Sequence, residues 1–125
     1  LKLKFERTEL GVIARFTPRR QDEGFFGIVH GGIVTTMLDE AMAWATYASG
    51  AWAMTAKMEV RFRKPVEVGA ELVVIGRIES VRGKIVTTAG EIRHLASNAI
   101  LAEATATFIK VPEAAARTWE QRYFG

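Results

Sequence analysis

The sequence predicts an α+β fold in which one long helix lies across a curved antiparallel sheet of five to six strands. Three observations carry this prediction. Gly31 to Ser49 contains no proline, and Ile33, Val34, Met37, Leu38, Ala41, Ala45 and Ala48 recur at helical spacing, so the segment is a helix that ends near Gly50. From Met54 to Arg63 the residues alternate, with Met54, Ala56, Met58, Val60 and Phe62 on one face and Thr55, Lys57, Glu59, Arg61 and Arg63 on the other, the period of a strand with one buried side. Glu71 to Val81 and Lys84 to His94 read as two further strands, separated by Arg82-Gly83, a connection short enough for a hairpin.

The remaining elements follow in order. Gly11 to Thr17 alternates as a half-buried strand and is closed by Pro18, after which Arg19 to Gly24 forms a polar loop. Pro65 ends the strand that starts at Met54. A turn at Ser97-Asn98 leads into a last strand, Ala99 to Val111, and residues 113–124 are rich in Ala, Glu and Arg behind a proline, so a short C-terminal helix is expected. The chain thus reads as strand, helix, then four strands in antiparallel succession. The helix is apolar around most of its circumference and has to be wrapped by the sheet. An outer strand would leave unpaired backbone groups, and pairing it with a second copy would bury more of the helix, so a homodimer or homotetramer is expected.

Bulk properties narrow the function classes. With 125 residues the chain reads as one domain, 1–125, able to bury a moderate share of its surface unaided. A composition 49% hydrophobic and 25% charged belongs to a globular protein, and no apolar run reaches the roughly 18 to 20 residues of a membrane span. A cytoplasmic location is the expectation. Cysteine is absent, which removes disulfides, thiolate catalysis and cysteine-held metal, and the only histidines, His30 and His94, show no ligand spacing, so no metal is expected. The formal charge of +3 suits a small polyanionic ligand. A nucleic-acid partner would rest on charge alone, since aromatic and basic residues do not interleave.

Chemistry concentrates at the start of the helix. Gly24-Phe25-Phe26-Gly27-Ile28-Val29-His30-Gly31-Gly32 runs directly into it, and the N–H groups of a first helical turn lack intrahelical partners. Gly31 and Gly32 expose them to any developing negative charge, or serve only a tight turn. Acids are nearly all Glu, so Asp39 inside the helix stands out; Gly32, Thr35, Thr36, Ala43 and Thr46 share its face and leave room beside the carboxylate. Glu40 points roughly 100° away and is the reserve carboxylate. Lys57, Arg61, Arg63, Lys64, Arg82 and Lys84 offer cations for phosphate groups. An apolar pocket beside these groups is expected to draw on Phe25, Phe26, Met37, Met42 and Trp44, which serve equally well as core.

His30-Gly31-Gly32 followed by Met37-Leu38-Asp39-Glu40-Ala41 resembles the signature of the PaaI-like hotdog thioesterases, which hydrolyse acyl-CoA thioesters. The resemblance continues through Met54-Thr55-Ala56, Phe62-Arg63-Lys64-Pro65-Val66, Val81-Arg82-Gly83-Lys84 and Ala102-Glu103-Ala104-Thr105-Ala106-Thr107-Phe108, covering about residues 24 to 111 in collinear order. It is closest to the branch with thioesterase superfamily members 4 and 5. The resemblance implies a hotdog fold and acyl-CoA hydrolysis, with coenzyme A as part of the substrate and no separate cofactor. It implies Asp39 as general base or nucleophile, the Gly31 N–H or that of Gly32 polarising the thioester carbonyl, His30 as a positioning residue, and Thr55, from a neighbouring subunit, orienting the water or the carboxylate. Arg61, Arg63, Lys64, Arg82 and Lys84 match the coenzyme A surface. Some relatives carry Asn six residues before the histidine; here the position is Gly24.

Other classes fit less well. Hotdog dehydratases carry a histidine in a proline-containing loop or an Asp-x-Asn-Pro-like motif, which this chain lacks, and ten residues before the first strand are too few for a DNA-binding helix-turn-helix. A non-catalytic acyl-CoA-binding hotdog protein is the alternative, and Asp39 discriminates against it, because a binder has no use for a carboxylate whose burial costs free energy.

Overall fold

The computed structural model describes residues 3–112; the helix expected over 113–124 lies outside them. The elements run β1 (Glu6–Arg7), β2 (Gly11–Phe16), a 3-10 turn (Arg20–Asp22), β3 (Glu23–Phe25), β4 (Ile28–Val29), α1 (Gly31–Ala48), β5 (Ala53–Phe62), β6 (Leu72–Arg82), β7 (Ile85–His94) and β8 (Ile100–Lys110). Six strands form one antiparallel sheet in the order β1-β2-β6-β7-β8-β5, and β3 pairs with β4 in a small hairpin of its own.

This topology corrects the expected succession of four strands. Only β6, β7 and β8 follow one another; β5 skips past them to pair with β8, so it ends as an edge strand with one side unpaired. The physical reason is the helix. Chain leaving the end of α1 enters the sheet at the side of the bundle, and the three long strands that follow fill the space between that edge and β2.

Register explains how the sheet holds α1. Residues opposite one another share a face, and the row Val12, Gly76, Gly90, Ala104, Val60 crosses β2, β6, β7, β8 and β5 beneath the middle of the helix. Its central members are the smallest side chains available, which opens a trough. Val34, Met37, Leu38, Ala41, Met42 and Ala45 of α1 fill it and are buried, packed with Leu72, Val74, Val86, Ile92, Ala102 and Phe108. Contact is closest at Gly76, where a Cβ would fall on the carbonyl of Ala41, and next at Gly90, where it would lie 3.2 Å from Met42 Cγ.

A second irregularity sits in β5. Thr55 pairs with Phe108 but Lys57 pairs with Thr107, so Ala56 is an extra residue, a bulge. The bulge inverts the alternation read from the sequence. Thr55 takes the helix-facing side together with Met58, Val60 and Phe62, because Phe108, Ala106, Ala104 and Ala102 opposite them form the inner row of β8. Lys57, Glu59 and Arg61 face outward, as expected.

Gly76→Ala is expected to destabilise the protein by about 1–3 kcal/mol, since the sheet and helix would have to separate to admit a methyl group. Urea denaturation of the variant beside the parent measures it.

Candidate active site

The start of α1 is built by a two-residue turn. Phe26 and Gly27 both have positive φ, 42° and 76°, which closes the β3–β4 hairpin tightly and returns the chain through Val29 to His30. Glu23 Oε1 accepts from the Gly27 N–H at 2.7 Å, and Phe25 and Phe26 stand exposed at the tip, ring centroids 4.3 Å apart. The His30 N–H donates to the Asp22 carbonyl at 2.9 Å, and the buried Asp22 carboxylate accepts from the Arg19 N–H at 2.8 Å, so the approach to the helix is pinned. Gly24 lies against His30: a Cβ there would meet His30 Cα at 2.8 Å, so the hairpin approaches the helix start this closely only over a bare backbone.

His30 is the helix cap. Its Nδ1 accepts from the Gly32 N–H at 2.8 Å, and its carbonyl accepts from Ile33 and Val34. Capping consumes the Gly32 N–H, so of the two glycines the one whose N–H makes no hydrogen bond among the described residues is Gly31. It sits exposed at the positive end of α1, against the ring of Phe62.

Asp39 lies two turns further on, half-buried, and its Oδ1 accepts from Thr55 Oγ1 at 3.0 Å. The contact exists because the bulge at Ala56 turns Thr55 toward the helix. Both partners belong to the same chain, which corrects the expectation that Thr55 reaches Asp39 from a neighbouring subunit. Burial, with a contribution from the charge of Asp39, raises the pKa of the adjacent Glu40. Thr36 donates to the Gly32 carbonyl at 2.8 Å and the buried Thr46 to that of Met42 at 3.0 Å, so these two hydroxyls serve the helix itself.

The cations do not converge within one chain. Arg61, Arg63 and Lys64 sit at the end of β5, where Arg63 pairs with Glu103 at 2.6 Å, and that hydrogen bond from Arg63 lowers the pKa of Glu103. Arg82 and Lys84 flank the β6–β7 turn. Arg61 pairs with Glu103 and Glu103 with Glu91, whereas Ile85 lies six residues along β7, so the two groups are about 20 Å apart. Of the residues expected to line an acyl pocket, Met37 and Met42 are fully buried core, Phe25 and Phe26 are exposed on the hairpin, and Trp44 borders a hollow. Tyr47 and Trp52, which line it with Trp44, were not singled out from the sequence, and their clustering depends on the turn after α1. Among the described residues no group of three His, Cys, Asp or Glu side chains could hold a metal, and no helix is long and apolar enough to cross a membrane.

A long helix gripped by one antiparallel sheet, with a carboxylate on the helix held by an edge-strand hydroxyl, defines a protein of the hotdog class. The chain belongs to the Thioesterase superfamily, whose family model matches residues 26–98. The acyl-coenzyme A thioesterase THEM4 of Xenopus laevis is 32% identical over 108 residues, 86% of this chain and 48% of that protein. The THEM4 protein of Mus musculus is 26% identical over 107 residues, 86% and 46% respectively. The chain spans about half the length of the curated relatives it matches. Among solved structures, smu.793 of Streptococcus mutans, bound to acetyl CoA, superposes with a TM-score of 0.82 at 20% identity, covering 89% of this chain and 90% of that one. A thioesterase superfamily protein at 29% identity superposes with a TM-score of 0.81 over 86% of this chain and 55% of its own.

Two outcomes follow from the local geometry. His30→Ala should cost about 1 kcal/mol in denaturant unfolding through loss of the cap, whereas His30→Asn, whose side chain also caps, should retain most of it. Burial raises the pKa of Glu40 in the fold, so its stabilising contribution is complete below the ordinary carboxylate range and is lost as pH rises through the raised value. Glu40→Gln is therefore expected to melt above the parent at pH 7, the gap closing as pH falls below about 4.

Proposed function

We propose that the protein hydrolyses acyl-CoA thioesters, with Asp39 as the general base or nucleophile, and that each active site takes its oxyanion donor from a second copy. The observation that carries this reading is the Asp39–Thr55 hydrogen bond on an open face of the chain. An acceptor-only carboxylate held by a hydroxyl is oriented toward a water or a carbonyl carbon, and the thioester's thiolate departs readily once attacked. The acyl-coenzyme A activity of the THEM4 relatives, and coenzyme A in a protein of the same fold, support the substrate class.

The oxyanion donor needs a second chain on geometric grounds. A reacting carbonyl must lie about 3 Å from both the donor and the attacking group. Gly31 and Asp39 are eight residues apart on one helix, about 12 Å, so one chain cannot place both on the same carbonyl. The free edge of β5 offers a place for that second chain. Two copies paired antiparallel along the whole of β5 bring the Phe62 end of one strand beside Thr55 of the other, and Gly31 abuts Phe62. The N–H of Gly31 of the partner subunit then faces Asp39. The same symmetry carries the β6–β7 turn of the partner to the end of the joint sheet that holds Arg61, Arg63 and Lys64, so cations separated in one chain gather around one coenzyme A. Exposed Met54 and Phe62 on this edge would be covered.

Asp39→Asn is expected to keep the fold and lose turnover by about a hundredfold or more, and Thr55→Val by about tenfold, measured as thiol release from an acyl-CoA panel. Unchanged turnover in Asp39→Asn would remove Asp39 from the reaction. Gly31→Pro removes one N–H at a helical position proline tolerates, behind a His30 already at φ −55° and ψ 134°. Refolding Gly31→Pro together with Asp39→Asn should restore about a quarter of parental activity, because half the random dimers pair the two variants and each such dimer has one intact site. No recovery would place the whole site in one chain.

A further inference from the structure

We infer that the hollow between the second half of α1 and the start of β5 is the acyl pocket, that it takes compact apolar acyl groups of short to medium length, and that Tyr47 is the wall limiting their length. This rests on Asp39 and Thr55 being the reacting pair.

Neither Asp39 nor Thr55 lines the hollow itself, but it begins one helical turn beyond the first and two strand residues before the second. Ala43 lies one turn beyond Asp39 on the same side of α1 and Tyr47 two turns beyond, at about 6 and 12 Å. On β5, Ala53 stands two residues before Thr55 on the same helix-facing side. Ala43, Trp44, Tyr47, Ala51, Trp52 and Ala53 line a space of about 210 Å³ with no charged group among them. A carbonyl held at Asp39 therefore has an uncharged channel for its acyl chain, floored by three alanines.

The channel is short because of the rings at its end. Tyr47 meets Trp44 edge-on, centroids 5.4 Å apart at 84°, and meets Trp52 at 5.1 Å and 67°. Beyond the three rings lies a second hollow of about 470 Å³, bordered also by Phe5, Val12 and Gly50. The aromatic cluster is thus a septum between two spaces, and the Arg7 guanidinium, donating to the Ala48 carbonyl at 2.6 Å, ties β1 to the helix end behind it. Tyr47 and Trp44 are 36% and 37% exposed and border both hollows.

Two variants and two readouts test this. Hydrolysis of acetyl-, octanoyl- and palmitoyl-CoA gives kcat/KM ratios, and calorimetry with S-octyl-CoA, a thioether that cannot be hydrolysed, reports the pocket without the reaction. The parent should favour octanoyl- over palmitoyl-CoA and bind S-octyl-CoA about tenfold or more tighter than coenzyme A. Tyr47→Ala joins the two hollows and should raise the palmitoyl-to-octanoyl ratio about tenfold; Ala43→Leu fills the channel and should lower the octanoyl-to-acetyl ratio and the S-octyl-CoA affinity by a similar factor. A parent that prefers palmitoyl-CoA, or variants that fold as judged by melting yet leave both ratios and the affinity within about twofold, would overturn the assignment. Asp39→Asn that still turns over would instead overturn the reacting pair, a separate failure, because the thioether affinities do not depend on it.

Discussion

Contact between the Ala41 carbonyl and the bare backbone of Gly76 determines how closely α1 approaches the sheet, and the position of every functional group is referred to that distance. Gly76, Gly90 and Ala104 lie side by side on three neighbouring strands, so the trough is a property of their register rather than of any one strand. Met37, Leu38 and Met42 then reach full burial, and Asp39, on the flank of the same turn, is left at the height of the edge strand. A larger residue in the trough would lift the helix and carry Asp39 away from Thr55.

Two local devices convert that packing into a site. The bulge at Ala56 reverses the side to which Thr55 points, and without it the hydroxyl would lie on the outer face with Lys57 and Glu59. His30 ends the preceding hairpin and caps the helix in one residue, which satisfies the Gly32 N–H and leaves that of Gly31 without a hydrogen bond among the described residues. Neither device places Gly31 near Asp39 in the same chain. Helix geometry holds them two turns apart, and in the proposed reaction it is a second copy paired at the free edge of β5 that would bring them together.

Much of the molecule was legible in the sequence because its signals are periodic. The limits of α1 follow from apolar spacing between Gly31 and Gly50, and β6, β7 and β8 from alternation broken by Arg82-Gly83 and Ser97-Asn98. Asp39 was conspicuous because an aspartate amid apolar helical residues conflicts with burial unless something uses or bonds it. The β3–β4 hairpin was missed, since its strands are three and two residues long and its turn places a phenylalanine at positive φ, where glycine or asparagine is the usual sign. The aromatic cluster was likewise not foreseen: Trp44 and Tyr47 adjoin on α1 by helical spacing, and Trp52 joins Tyr47 only through the turn between α1 and β5.

By itself, the sequence determined the class of fold, the helix that carries the carboxylate and the glycines at its start, because each depends on residue spacing along a single element. Only the tertiary structure decided that β5 lies at the edge beside β8, that Thr55 faces Asp39 within one chain, and that the cations of β5 and of the β6–β7 turn stand at opposite ends of the sheet. Those facts depend on pairing between segments far apart in the chain, where one extra residue in a strand changes the side to which all its neighbours point.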